Sequence, residues 1–131
     1  MKVVLDTNVL LAAFATRGLC DKVLASCLDA HEVVLSEPII AELSGCLTTK
    51  LKLPPDHARD IVHFLRGRCV LVQPDEVPGD ACPDPSDLAV LGTASACDAD
   101  CLVTGDHALL GLGSFRGIPI LTPRALDDRL S

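Results

Sequence analysis

Acidic side chains are the residues of this sequence best suited to chemistry. Of its 18 acids, 14 are aspartate, the residue favoured at helix N-caps, in turns and around hard metal ions. Five acids stand where apolar runs stop or start. Asp6 follows Val3-Val4-Leu5, Glu42 borders the apolar stripe Ile39, Ile40, Leu43 and Leu47, Asp84 and Asp87 flank Pro85-Ser86, and Asp106 follows Cys101-Leu102-Val103-Thr104. Carboxylates gathered in one place repel one another unless a divalent cation neutralises them. Oxygen ligands without His or Cys favour Mg²⁺ or Mn²⁺ over zinc. Each acid also has a plainer reading when taken singly: Asp6, Asp84 and Asp87 as helix caps, Asp106 as support for a turn at Gly105, Glu42 as solvated helix surface.

Other chemistries find less support. The four His are dispersed, and no Ser/His/Asp or Cys/His arrangement is recognisable; His107, beside Asp106, reads as a surface residue rather than a base. The seven Cys form no C-x-x-C pair and read as small buried apolar residues of a reducing cytoplasm, Cys97 and Cys101 included. With three Phe and no Trp or Tyr, there is no stacking platform of the kind many single-strand binders use. Eleven basic residues against 18 acids give a net charge of −7, which excludes a broad phosphate-neutralising surface. Nothing in the spacing of Arg17, Lys50, Lys52 and Arg116 sets them apart from ordinary solvated side chains.

The elements that must position the acids follow from the apolar pattern. Val3–Leu5 reads as a buried strand, Asp6-Thr7-Asn8 as capping residues and Val9–Phe14 as a helix. A helix over Gly18–Ala30, a strand over His31–Leu35 and a helix opened by Ser36 as cap with Pro38 follow. The pattern then gives a helix opened by Pro54-Pro55-Asp56 and running through His57 to Gly67, and a strand over Cys69–Val72. Residues Pro74 to Pro85 hold four prolines, a glycine and four acids, too broken for an element interior, and read as a loop. A helix over Asp87–Asp98, a strand over Cys101–Thr104, a turn at Gly105–Asp106, an edge or terminal strand over Ile118–Leu121 and a short helix opened by Thr122-Pro123 complete the chain. Strands that are continuous apolar runs, separated by helices, predict an α/β fold: a parallel sheet covered on both faces, in one domain spanning residues 1–131. In such a sheet every strand ends at the same edge, where ligands bind. Asp6 and Asp106, 100 residues apart, are therefore expected to face each other there. Asp6 also ends the first apolar stretch too early for a signal peptide or membrane span, so a cytoplasmic protein without a membrane segment is expected.

The sequence resembles the PIN-domain family and is similar to the VapC-like toxin components of bacterial toxin–antitoxin pairs. The resemblance rests on Val4-Leu5-Asp6-Thr7-Asn8-Val9, Ser36-Glu37-Pro38-Ile39-Ile40-Ala41-Glu42-Leu43, Asp84-Pro85-Ser86-Asp87 with Leu91-Gly92-Thr93-Ala94, Leu102-Val103-Thr104-Gly105-Asp106 and the closing stretch Phe115–Pro123, in the family's order. It implies a three-layer Rossmann-like sheet and a metal-dependent nuclease site, usually acting on RNA. Asp6, Glu42, Asp87 and Asp106 match the catalytic, metal-binding acids, and Asn8 and Thr104 match positions that support them. Two departures stand out: Ala108 where the family often has a further acid, and Pro83 where it often has a basic residue. Asp84 would partly replace the missing carboxylate.

The reaction this implies is hydrolysis of RNA phosphodiester bonds with Mg²⁺ or Mn²⁺. An antitoxin partner and a homodimer are the associations the resemblance favours. The competing reading is a non-catalytic module in which the same acids hold a structural cation or a basic peptide. A flavodoxin-like phosphate receiver would want a Lys after the last strand, where Thr122-Pro123-Arg124 has none.

Overall fold

The computed structural model describes residues 1–131. In chain order its elements are β1 (Lys2–Leu5), α1 (Thr7–Ala15), α2 (Leu19–Ala30), β2 (Glu32–Leu35), α3 (Glu37–Thr49), α4 (Pro55–Arg68), β3 (Val70–Leu71), α5 (Pro85–Ala96), β4 (Cys101–Val103), α6 (His107–Leu110), β5 (Ser114–Phe115), β6 (Ile118–Leu121) and α7 (Pro123–Leu130). The sheet order is β3-β2-β1-β4-β6-β5. Every pairing is parallel except β5 with β6.

Consecutive strand residues are buried alike: Val3, Val4 and Leu5 are each 0% exposed. Because successive side chains of a strand point to opposite faces, this pattern requires cover on both sides of the sheet, which is the three-layer arrangement expected. Thirty buried hydrophobic residues form one cluster around it. Removing one of its fully buried leucines, such as Leu5 or Leu102, is expected to cost about 2–5 kcal/mol. No helix is long and apolar enough to cross a membrane, and all seven Cys are free thiols.

Several local expectations need correction. The sheet is not wholly parallel, because β5 and β6 form a hairpin in which Phe115 pairs with Ile118 around Arg116 and Gly117. Both turn residues have positive φ, 50° and 79°, as a two-residue type I′ turn requires. Arg116 tolerates this because its guanidinium donates to Ser95 Oγ (2.8 Å) and Glu76 O (3.3 Å) and lies over the Phe115 ring. It is a structural tie rather than loose surface. The β6 strand is consequently internal, not an edge. Its Pro119 precedes the first pairing with β4, Leu102 with Ile120, so the missing N–H falls outside that ladder.

The third strand is shorter than Cys69–Val72, and its two residues are exposed at the sheet edge. Ser36 occupies the N-cap position of α3 but makes no capping bond. Its hydroxyl instead meets Thr93 Oγ1 at 2.7 Å. Thr93 spends its one proton on Ala89 O (2.7 Å), so Ser36 is the donor, and the pair fastens the start of α3 to α5.

The broken stretch from Pro74 is a loop, but one pinned to α5. Asp75 N donates to Gly92 O at 3.0 Å, and a Cβ on Gly92 would stand 2.4 Å from Asp75 O. Only glycine lets the loop backbone come this close. The loop then delivers Asp84 to the head of α5.

Candidate active site

The register of β1 against β4 pairs Leu5 with Val103. The residues that follow each strand, Asp6 and Thr104, therefore leave the sheet side by side. Asp6 N donates to Val103 O at 2.9 Å, continuing the ladder one step beyond the strand. Asp6 then turns out of it and caps α1, its Oδ1 accepting from Thr7 N at 2.7 Å. Its Oδ2 accepts from Thr104 Oγ1 (2.7 Å) and Asn8 Nδ2 (3.1 Å). Asn8 Oδ1 in turn accepts from Gly105 N at 2.9 Å, binding the β1 and β4 exits together.

The other aspartates are placed by helix starts as well. Asp84 is the N-cap of α5, its Oδ1 accepting from the backbone N and the hydroxyl of Ser86 at 3.0 Å each. The helix thus begins at Pro85, two residues earlier than the apolar pattern suggests, and Asp87 lies in its first turn rather than at its cap. Asp106 is the N-cap of a short helix, α6, where a turn was expected; its Oδ1 accepts from Ala108 N at 3.1 Å. Glu42 is exposed on the second turn of α3. Capping and convergence are therefore not alternatives here. Asp6, Asp84 and Asp106 each cap a helix, and all five acids line one cleft of about 220 Å³ at the strand ends, together with Thr7, Asn8, Leu11, Cys46, Lys50 and Ser86. The positive ends of α1, α5 and α6 abut it, which favours negative charge there.

Electrostatics follow from this crowding. Asp6 is 3% exposed and Asp87 8%. Burial raises the Asp6 carboxyl above its ordinary value, as do Glu42 and Asp106, against the lowering effect of the Thr104 and Thr7 hydrogen bonds. Asp87 is pushed up to about 7, first by burial, then by a hydrogen bond that only its protonated form can donate to Asp106, then by the charges of Asp106, Asp6 and Asp84. Its Oδ2 is buried without a hydrogen-bond partner.

No three His, Cys, Asp or Glu side chains are drawn together tightly enough to form a coordination sphere as they stand. The donor set nonetheless suits a hard divalent cation: carboxylates from four separate segments, one oxygen buried and orphaned, and one acid that its neighbours drive towards neutrality. A cation would relieve the same repulsion that protonation of Asp87 relieves.

His107 is exposed and lies outside the cleft lining. Lys50 is exposed, as expected of a solvated side chain, but it also lines the cleft. The signal available in the sequence was its spacing: Glu42, Cys46 and Lys50 fall at i, i+4 and i+8 of one helix, hence on one stripe. A larger hollow of about 340 Å³ between α3 and α4, lined by Ser44, Arg59, Val62, His63 and Arg66, shares no residue with the acid cleft. Its arginines are already paired, Arg59 with Asp56 and Arg66 with Glu37.

A family model described as PIN domain matches residues 2–108. The chain belongs to the PIN-domain family. In fold this PIN domain is similar to VapBC2 from Rickettsia felis, solved bound to a DNA fragment from their promoter, with a TM-score of 0.67 and 14% identity over 93% of this chain and 98% of that one. It is similar also to VapBC-1 from nontypeable Haemophilus influenzae, with a TM-score of 0.66 and 18% identity over 95% of this chain and 99% of that one. The FitAB complex bound to a DNA fragment gives a TM-score of 0.63 and 17% identity over 92% and 94% of the two chains. No curated protein matches the sequence.

Proposed function

We propose that this PIN domain is an Mg²⁺- or Mn²⁺-dependent endoribonuclease and the toxin of a toxin–antitoxin pair. The observation that carries the nuclease reading is the cleft itself: four segments distant in sequence each deliver a carboxylate to one sheet edge, with Asp87 Oδ2 buried and unpartnered. Membership of the PIN family and likeness in fold to the VapBC and FitAB complexes support the toxin reading, with an antitoxin protein as partner.

Asp6, Asp87, Asp106 and Glu42 would hold the metal. When bound, it supplies positive charge for the phosphate and acidifies water. The chain's own contribution is positional. Thr104, Asn8 and the Thr7 amide together occupy three acceptor sites of Asp6, fixing its carboxylate and leaving acceptor capacity on Oδ1. Asp84, which lines the cleft, has Oδ1 engaged in capping and makes no hydrogen bond through Oδ2. Glu42, exposed in the cleft lining, would join the metal or orient the attacking water. A neighbouring hollow of about 260 Å³ shares Asn8 and Asp106 with the acid cleft and has Val9, Ala12 and Pro123 in its wall, room that suits a substrate longer than one nucleotide.

The test is cleavage of a defined RNA by purified protein with Mn²⁺, beside Asp6→Asn and a calorimetric Mn²⁺ titration. Metal-dependent cleavage by the parent and its loss in a folded Asp6→Asn protein are expected. Undiminished cleavage by the variant overturns the site assignment. Mn²⁺ binding without turnover favours the non-catalytic module, the reading to which Ala108 in place of a further acid belongs. Growth arrest on expression, relieved by an antitoxin encoded alongside, is the expected result for the toxin reading, and normal growth with active protein present counts against it.

A further inference from the structure

The acid cleft holds one basic side chain, Lys50. It occupies the C-cap of α3, about 12 Å along an ideal helix axis from Glu42. Five carboxylates share the cleft with it, yet its ammonium forms no ion pair with any of them within 4.0 Å. A lysine whose task was to hold the acids together would be paired with them. A lysine whose task was only to complement the α3 dipole would need no place in the cleft wall. Its neighbour Lys52, two residues beyond the cap, is exposed as Lys50 is but lies outside the lining.

We infer that Lys50 is a phosphate-binding residue whose ammonium takes a non-bridging oxygen of an RNA backbone phosphate flanking the one hydrolysed. This rests on the hydrolase reading above. The charge balance gives the physical reason. A chain of net charge −7 must admit a polyanion to a cleft lined by acids, and it has no basic surface to draw one in. A cation at the scissile phosphate leaves the adjoining phosphates uncompensated, and a mobile ammonium with three donors on a flexible stem suits one of them. Lys50 forms no bond to the reacting atoms; it orients the strand.

The experiment measures binding of an RNA strand over a range of KCl concentrations by the full chain and its Lys50→Ala, Lys50→Arg and Lys52→Ala variants, each carrying Asp6→Asn so that the strand stays intact, alongside steady-state cleavage by the same proteins with Asp6 restored. Lys50→Ala is expected to weaken binding about tenfold at low salt and to lower the slope of log K against log[KCl] by about 0.7, the contribution of one contact to a single strand. KM rises with it while kcat stays within about threefold, Lys50→Arg restores most of the binding, and Lys52→Ala matches the parent. Unchanged binding and slope in Lys50→Ala overturn the inference, as does an equal loss in Lys52→Ala. Absence of cleavage by the parent protein overturns the hydrolase reading instead, and the binding titration still decides Lys50.

Discussion

Thr104 and Asp6 meet at 2.7 Å across adjacent parallel strands, the buried hydroxyl donating to the buried carboxylate. The same Thr104 oxygen accepts from Asp106 N at 3.0 Å. One side chain therefore ties the acid after β1 to the acid after β4. The consequence is a fixed separation between two carboxylates that repel each other, set by the sheet register rather than by any ligand.

Replacing Thr104 by Val keeps the volume and removes both bonds together with a longer one, 3.4 Å, that the hydroxyl accepts from Asn8 Nδ2. Asp6 Oδ2 keeps only Asn8 and the Asp106 amide loses its acceptor, which is expected to destabilise the fold by about 1–3 kcal/mol. With Asp6 as the metal ligand proposed above, loss of its orienting partner is expected to lower Mn²⁺-dependent cleavage about 10–100-fold. Urea denaturation and a cleavage assay check the two effects, with Thr104→Ser expected near the parent in both. A Val variant with parental cleavage would mean that this bridge does not position the site.

The raised Asp87 carboxyl makes stability of the metal-free protein depend on pH. Its folded value of about 7 lies above the ordinary unfolded value of about 3.9, so between the two the folded state binds more protons. Stability is then full below about pH 4 as far as this group is concerned, and falls as pH rises through about 7. Asp6, also raised, acts in the same direction. Thermal melts in EDTA should give a lower Tm at pH 8 than at pH 5.5. Added Mg²⁺ should restore much of the difference at pH 8 and little at pH 5.5, because it competes with the proton for the same carboxylates.

Asp87→Asn separates function from stability at this position. The amide removes a buried charge that Asp106, Asp6 and Asp84 oppose. The metal-free variant is expected to melt above the parent at pH 8, to lose most of the slope between pH 5.5 and 8, to gain little from Mg²⁺ and to be inactive. A variant less stable than the parent at pH 8 without metal would show that the cleft is not electrostatically strained.

The strand ends were legible because a parallel sheet covered on both faces writes its strands as unbroken apolar runs, and an acid after such a run marks the functional edge. Val3-Val4-Leu5-Asp6 and Cys101–Thr104 followed by Gly105-Asp106 carry that signal plainly. What stayed hidden depends on partners distant in sequence. The β5–β6 hairpin turns on Arg116 in a left-handed conformation that arginine seldom adopts, stabilised by Ser95 and Glu76, 21 and 40 residues away. Ser36 has a capping residue's identity and position, yet its hydroxyl goes to Thr93, 57 residues on. Lys50 was readable only in retrospect, since its i+8 relation to Glu42 matters once Glu42 is known to face the cleft.

The loop that delivers Asp84 depends on a glycine contact, and Gly92→Ala tests it. The new Cβ would meet Asp75 O, a backbone atom, at 2.4 Å, so the loop must move away rather than a side chain rotate. A cost of about 1–3 kcal/mol is expected from such overpacking. Asp75 also accepts from Ser95 Oγ at 2.8 Å, and Glu76 O accepts from Arg116, so the displacement reaches the β5–β6 turn. Gly45→Ala is the matched control: it is helical, a Cβ there meets nothing within 4 Å, and a gain of about 0.5–1 kcal/mol is expected from helix propensity. Urea denaturation of both variants gives the comparison, and limited proteolysis across residues 74–84 reports whether the loop has come loose. Equal stability of the two would mean that the loop shifts without strain and that Gly92 holds no special place beneath it.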